Sequence, residues 1–165
     1  MSDGTGQEGS EWDDSLSWDA YFLQMARLVA SKSRDPSTKC GCVIAAEGHE
    51  VLTTGYNGFP RGIEYTLDRL PRKRKYQLIC HAESNAVTNA ARLGHSLSGS
   101  TAYVTGPPCR GCALVLIQAG VSRVCIPASH NFKRRFDSGD WEDEMTDARQ
   151  LLLEAHVRYN EIEGV

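Results

Sequence analysis

The chain has 165 residues and a formal net charge of −3, with 41% hydrophobic and 24% charged residues, and its pI is about 5.9. That is enough chain for one domain with a real core and too little for two. The acidic balance excludes a general grip on nucleic-acid phosphates, which needs an excess of Lys and Arg, and no run is apolar and long enough to span a bilayer.

Residues 1 to 14 are rich in Gly, Ser, Asp and Glu, cannot bury enough apolar surface to order themselves, and read as a disordered tail ahead of a domain over 15–165. They lack the basic start and apolar stretch of a signal peptide, which implies a cytoplasmic protein. Its six cysteines then suit metal binding or burial better than disulfides. Trp18, Tyr21, Phe22, Met25, Leu28 and Val29 recur at helical spacing behind Ser17, a good N-cap, and Asp35-Pro36 is expected to close that helix. Cys42 to Ala46 and Val51 to Tyr56 read as a hairpin. Residues 57 to 78 read as a long loop of the functional kind. Ala82 to Leu93 reads as a helix ended by Gly94. Thr101 to Thr105 is a strand, Cys112 to Ala119 a buried helix, and Val121 to Ile126 a strand. Asp140 to Ala155 is a helix with Trp141, Met145, Ala148, Leu151 and Leu152 on one face, and Val157 to Ile162 a last strand. Strands alternating with helices after an opening hairpin predict an α/β fold, a mixed sheet with helices on both faces.

Two segments carry the chemistry. One is His81-Ala82-Glu83; the other is Pro107-Pro108-Cys109-Arg110-Gly111-Cys112. One His and two Cys suit zinc, and three protein ligands leave a fourth tetrahedral position for water, the mark of a catalytic rather than a structural site. Cys109 and Cys112 are three apart, so at a helix start both thiolates share a face, and the helix dipole favours the thiolate form. His81 also begins a helix and puts Glu83 in its first turn, near the metal but free of it. There Glu83 can take a proton from a zinc-bound water, whose pKa the metal lowers to roughly 7, and pass it to a leaving amine. A structural site would need a fourth ligand. Cys40, Cys42 and Cys125 sit in or beside strands as small buried hydrophobes, and Cys80 adjoins His81 and faces another way.

Together H-x-E and P-C-x-x-C form the general signature of zinc nucleobase deaminases. From about Trp18 to about Tyr159 the sequence resembles the cytidine and deoxycytidylate deaminase family. His81-Ala82-Glu83-Ser84-Asn85-Ala86-Val87 resembles its metal helix. Arg34-Asp35-Pro36-Ser37-Thr38-Lys39 and Gly55-Tyr56-Asn57-Gly58-Phe59-Pro60-Arg61-Gly62 resemble segments of the deoxycytidylate branch. The resemblance implies hydrolysis of dCMP to dUMP and ammonia for thymidylate synthesis. It also implies one Zn2+ per chain and a three-layer α/β/α fold around a five-stranded mixed sheet. It further implies a homo-oligomer, a hexamer in many members, with dCTP and dTTP as effectors. By position, His81, Cys109 and Cys112 match the zinc ligands and Glu83 the proton shuttle. Asn57 matches a residue that meets the sugar hydroxyl, Pro107 a carbonyl that accepts from the 4-amino group, and Ala82 an N–H that reaches the base. Lys39 and His130 are further expected substrate contacts. Tyr56, Gly58, Arg61, Lys133 and Arg134 are expected phosphate or effector contacts. The chain departs from the branch after the fourth strand, where Ser129 to Asp137 replaces a Tyr-His-Asp stretch near the phosphate.

Of two basic runs, Arg69, Arg72, Lys73, Arg74 and Lys75 read as a solvated loop face. Lys133, Arg134 and Arg135 stay open between a solvated face and a phosphate contact. His49 and His95 read as surface and loop residues, His156 as structural, and Phe132 and Trp141 as packing residues. Within enzymes the alternative substrate is a 5-substituted dCMP or another amino-heterocycle. The alternative of a different class is a non-catalytic zinc assembly module, which would have no need of Glu83. No nucleic-acid or membrane partner is expected.

Overall fold

The computed structural model describes residues 15–128 and 139–165. The expectations for the tail, His130, Phe132, Lys133, Arg134, Arg135 and the Trp141 side chain lie outside the described residues. Helix α1 (Trp18–Ala30) leads into strands β1 (Gly41–Ala45) and β2 (Val51–Tyr56). A 3-10 turn (Leu67–Arg69), α2 (Arg72–Leu78), α3 (Ala82–Leu93) and β3 (Thr101–Val104) follow. The chain ends through α4 (Arg110–Gln118), β4 (Arg123–Pro127), α5 (Gly139–Glu154) and β5 (Arg158–Ile162).

The five strands form one mixed sheet in the order β2-β1-β3-β4-β5. Strand β1 runs antiparallel to both β2 and β3, whereas β3, β4 and β5 are parallel. Alternating residues of the central strands feed two cores. Cys42, Ile44, Ala102, Val104, Val124 and Ile126 pack under Ala82, Ala86 and Ala90 of α3, Ala113 and Leu116 of α4, and Ala148 and Leu152 of α5. Val43, Ala45, Tyr103 and Cys125 pack on Phe22, Leu23 and Ala26 of α1. The result is the expected α/β/α sandwich, and burial on both faces explains why β1 reads as a continuous apolar run.

Two glycines set the layer spacing. A Cβ on Gly41 would land on the backbone of Ala26 and Ala30 in α1, and one on Gly55 would land on the Ala82 carbonyl and the Ala86 amide of α3. Thr53 then donates its hydroxyl to the Ala86 carbonyl at 2.9 Å, so β2 grips α3 at its N-terminal half. A second clasp holds α1: Arg123 meets both Asp19 carboxylate oxygens at 2.9 and 2.7 Å, and Tyr103 donates to the same carboxylate at 3.1 Å.

Two predicted elements change, and Lys75 of the first basic run is buried rather than solvated. Helix α1 ends at Ala30, short of Asp35-Pro36. The amides of Ser31, Lys32 and Ser33 turn back to Leu28, Val29 and Ala30, a tight finish that the Ser31 hydroxyl reinforces by donating to the Leu28 carbonyl. Segment 57–78 is not a plain loop. It contains the 3-10 turn and α2, a run of good helix formers started by Pro71. The other boundaries hold to within two residues. Ser17 caps α1 by accepting from the Ala20 amide at 3.2 Å, and Gly94 ends α3 in the left-handed conformation at φ 75°. Exposed His49, at φ 71° in the hairpin turn, lies 4.2 Å from the Trp18 ring in a parallel stack. The His95 ring nitrogen meets the Leu52 carbonyl at 2.7 Å. His156 does not sit in the core: it is an exposed residue at φ 58° just past α5.

Candidate active site

His81 is the N-cap of α3 and Cys109 the N-cap of α4, with Cys112 one turn in. Both helix N-termini therefore point at one spot. His81 Nδ1 lies 3.3 Å from Cys109 Sγ and 3.4 Å from Cys112 Sγ. Zinc–nitrogen and zinc–sulfur bonds of about 2.0 and 2.3 Å in a tetrahedron require an N···S spacing of about 3.5 Å, so the triad fits the ion. Among the described residues this triad is the metal-competent group. Cys40, Cys42, Cys80 and Cys125 do not join it, and Cys80 instead pairs its backbone with Gly58.

The electrostatics agree. The Cys109 thiol is held down to about 4, chiefly by the hydrogen bond from Cys112 and also by His81. Cys112 is pushed up, first as the donor of that bond and then by burial and by Glu83. The two sulfurs thus share one negative charge, and a divalent cation supplies what both need to ionise. His81 is raised, mainly by its hydrogen bond with Cys109. Glu83 is 5% exposed, and burial pushes its carboxyl up despite the pull of His81. A carboxyl in that state holds a proton readily, which is the property a shuttle needs. Ser84 Oγ stands 3.8 Å from Cys112 Sγ.

Sequence reading missed the clamp behind the metal helix. Arg110, between the two cysteines, pairs with Glu144 at 3.2 Å and Asp147 at 2.7 Å on α5. Glu144 Oε2 also accepts the Arg110 amide at 3.3 Å, capping a helix start whose own N-cap side chain makes no capping bond. No motif marks these acidic residues in advance.

A pocket opens on His81 and Cys109 of the triad and on Glu83, the kind of concave place where small-molecule sites are found. His81, Glu83 and Cys109 line one part, and Thr105, Gly106 and Pro107 another. Asp35, Thr38, Lys39 and Asn57 line a third, and Tyr76 and Ile79 of the α2 segment a fourth. The structure thus brings Asn57, Pro107 and Lys39 to the site with the zinc ligands and Glu83. Ala82 is fully buried at the first turn of α3. Asn57 is already engaged: its amide donates to the Thr38 carbonyl at 2.8 Å and to Asp35 at 3.5 Å, and its Oδ1 accepts from the Cys40 amide at 2.7 Å. One lone pair of Oδ1 is left for a ligand. Tyr56, Gly58 and Arg61 do not line this pocket; Arg61 donates to Asn89 on α3 at 2.7 Å. Thr38, Tyr76 and Ile79 are wall residues that motif reading did not single out.

The family model for the cytidine and deoxycytidylate deaminase zinc-binding region matches residues 16–128. The human deoxycytidylate deaminase is 36% identical over 155 residues, covering 89% of this chain and 80% of its own. A deaminase of Aliivibrio fischeri with no characterised substrate is 36% identical over 141 residues, covering 85% of this chain and 90% of its own. The apo dCMP deaminase of cyanophage S-TIM5 shares the fold at a TM-score of 0.68, with 24% identity over 87% of this chain and 96% of that one. With that match spanning both metal segments, this chain belongs to the cytidine and deoxycytidylate deaminase family and carries its zinc-binding region.

Proposed function

We propose that the protein hydrolyses dCMP to dUMP and ammonia and so supplies dUMP for thymidylate synthesis. The observation that carries this is the buried Glu83 beside a His/Cys/Cys triad, where both His81 and Glu83 line one pocket. The 36% identity to deoxycytidylate deaminases over most of the chain supports dCMP over other amino-heterocycles.

Zinc, when bound, supplies a Lewis acid that makes water a nucleophile at neutral pH. The chain's own residues do the rest. Glu83 accepts a proton from the attacking water and holds it in a buried site that favours the neutral acid. It delivers that proton to the ring nitrogen N3 as the oxygen bonds to C4, then carries the second proton from that oxygen to the 4-amino nitrogen as the C4–N bond breaks. Water's oxygen ends on C4, and ammonia leaves. In this reading the Pro107 carbonyl accepts from the amino group, the Ala82 amide meets the base, and the remaining lone pair of Asn57 Oδ1 meets a sugar hydroxyl. Lys39, exposed and lining the pocket, suits the 5′-phosphate; the expected contacts at His130, Lys133 and Arg134 lie outside the described residues.

Tyr56, Gly58 and Arg61 lie outside the pocket, so a nucleotide they meet is a second one, in keeping with dCTP or dTTP as effector. Assembly as a homo-oligomer, a hexamer as in many of the family, belongs to the same proposal. So does a cytoplasmic location, supported by six cysteines of which none is in a disulfide; no helix among the described residues is long and apolar enough to cross a membrane. The test is ammonia release from dCMP, CMP, deoxycytidine, dCTP, 5-methyl-dCMP, dAMP and dGMP, each with and without dCTP. Turnover confined to dCMP or its 5-methyl form is expected. No turnover of any, with one zinc per chain, would replace the proposal with a non-catalytic zinc module or an enzyme for another amino-heterocycle.

A further inference from the structure

Helix α2 carries four cations, and they do not share a fate. Arg72, Lys73 and Arg74 face solvent. Lys75 is 3% exposed, with its Nζ 2.8 Å from Asp35 Oδ1 and 3.1 Å from Ser37 Oγ. A fully buried Lys is rare unless paired, and burying a charge pair is seldom a gain in stability over apolar packing. The partner explains the choice. Asp35 forms part of the pocket wall. Its Oδ1 accepts the amides of Ser37 at 2.7 Å and Thr38 at 3.2 Å, which shapes the rim that bears Thr38 and Lys39. Its Oδ2 lies 3.5 Å from Asn57 Nδ2. One carboxylate thus orders two parts of the wall, but it also puts a negative charge where a phosphate-bearing ligand must come.

We infer that Lys75 is a specificity-determining positioning residue: its buried ammonium cancels the charge of Asp35 in the pocket wall, so that the wall keeps its hydrogen-bonded shape and still admits an anionic ligand. Lys75 does not itself line the pocket, so it acts through Asp35. The next residue, Tyr76, does line it, and the Lys75 ammonium lies 5.4 Å from the Tyr76 ring. The same helix therefore supplies wall and counter-charge. The inference rests on the reading of the ligand as a nucleoside monophosphate.

The test is steady-state kinetics with dCMP on the zinc-loaded enzyme and three variants. Lys75→Met leaves Asp35 without its counter-charge, and KM is expected to rise about tenfold with kcat within about threefold, as fits an added repulsion between the pocket wall and an anionic ligand. Asp35→Asn reverses the imbalance, and KM is expected to move the opposite way. The double variant, neutral at both positions, is expected to return KM to within about threefold of wild type. A variant that merely loosened the fold would not reverse sign between the two single changes. If Lys75→Met does not fold, Asp35→Asn and the double variant carry the test. A KM that rises in Asp35→Asn, or stays high in the double variant, overturns the inference about Lys75 alone. A wild-type enzyme that releases no ammonia from dCMP overturns the proposed function and this inference with it.

Discussion

Gly55→Ala tests how the sheet positions the chemistry. A Cβ at Gly55 would sit on the Ala82 carbonyl oxygen and the Ala86 amide nitrogen, and 2.9 Å from Ala86 Cα. All three are helix backbone atoms, so no rotamer change relieves the clash. Carbon atoms pack comfortably at about 3.5 Å or more, so α3 must retreat from β2 by roughly 1 Å. That retreat strains the Thr53-to-Ala86 hydrogen bond and moves the first turn of α3, which bears Glu83 and follows His81. Overpacking of this kind costs about 1–3 kcal/mol, and a displacement of about 1 Å at a reacting group costs on the order of a hundredfold in rate. Urea unfolding and kcat for dCMP measure the two effects. We expect a folded, less stable protein whose kcat falls by on the order of a hundredfold, with a kcat loss exceeding that of Gly62→Ala, where a Cβ meets nothing within 4 Å and the strain is confined to the backbone at φ 81°. Wild-type kcat and stability in Gly55→Ala would refute the reasoning.

Three further outcomes are expected. Cys109→Ala or Cys112→Ala loses zinc and stability together, because metal binding is coupled to folding; one zinc per chain by mass spectrometry in either variant would contradict this. Burial raises the Asp35 carboxyl, but the Lys75 ammonium and the Ser37 and Thr38 amides outweigh it and hold the carboxyl below its ordinary range. Its stabilisation is therefore complete above the unfolded value of about 3.9 and fades as pH falls through the folded value. The gap in unfolding midpoint between wild type and Asp35→Asn should then hold from about pH 5 to 7 and narrow below about pH 4, and a constant gap down to the folded value would refute the linkage. Arg123→Ala should cost about 1–3 kcal/mol in urea unfolding by undoing the clasp on Asp19; an unchanged midpoint would contradict the clasp.

The zinc triad was legible because its constraints are local. His81 and Glu83 share one helix start and Cys109 and Cys112 another, so spacing alone fixes their relative directions. The layer order was legible too, since both faces of β1 are buried and its run is continuous. Lys75 could not be read the same way. Among Arg72, Lys73 and Arg74 it looks like one more solvated cation, and only Asp35, 40 residues earlier, turns it inward. The Arg110 clamp has the same character, because its partners Glu144 and Asp147 lie more than 30 residues on in an ordinary acidic helix. Long-range charge pairing leaves no periodic trace, whereas a helix cap or a C-x-x-C turn does.

In the proposed reaction Glu83 moves protons at the zinc site and does not hold the metal. The most direct test is Glu83→Gln, with zinc content and dUMP formation measured on the same sample. One zinc per chain, an unfolding free energy within about 1 kcal/mol of wild type and a kcat lowered by at least about a hundredfold are expected. Near-native turnover in that variant, or loss of the metal with the activity, would contradict that role for Glu83.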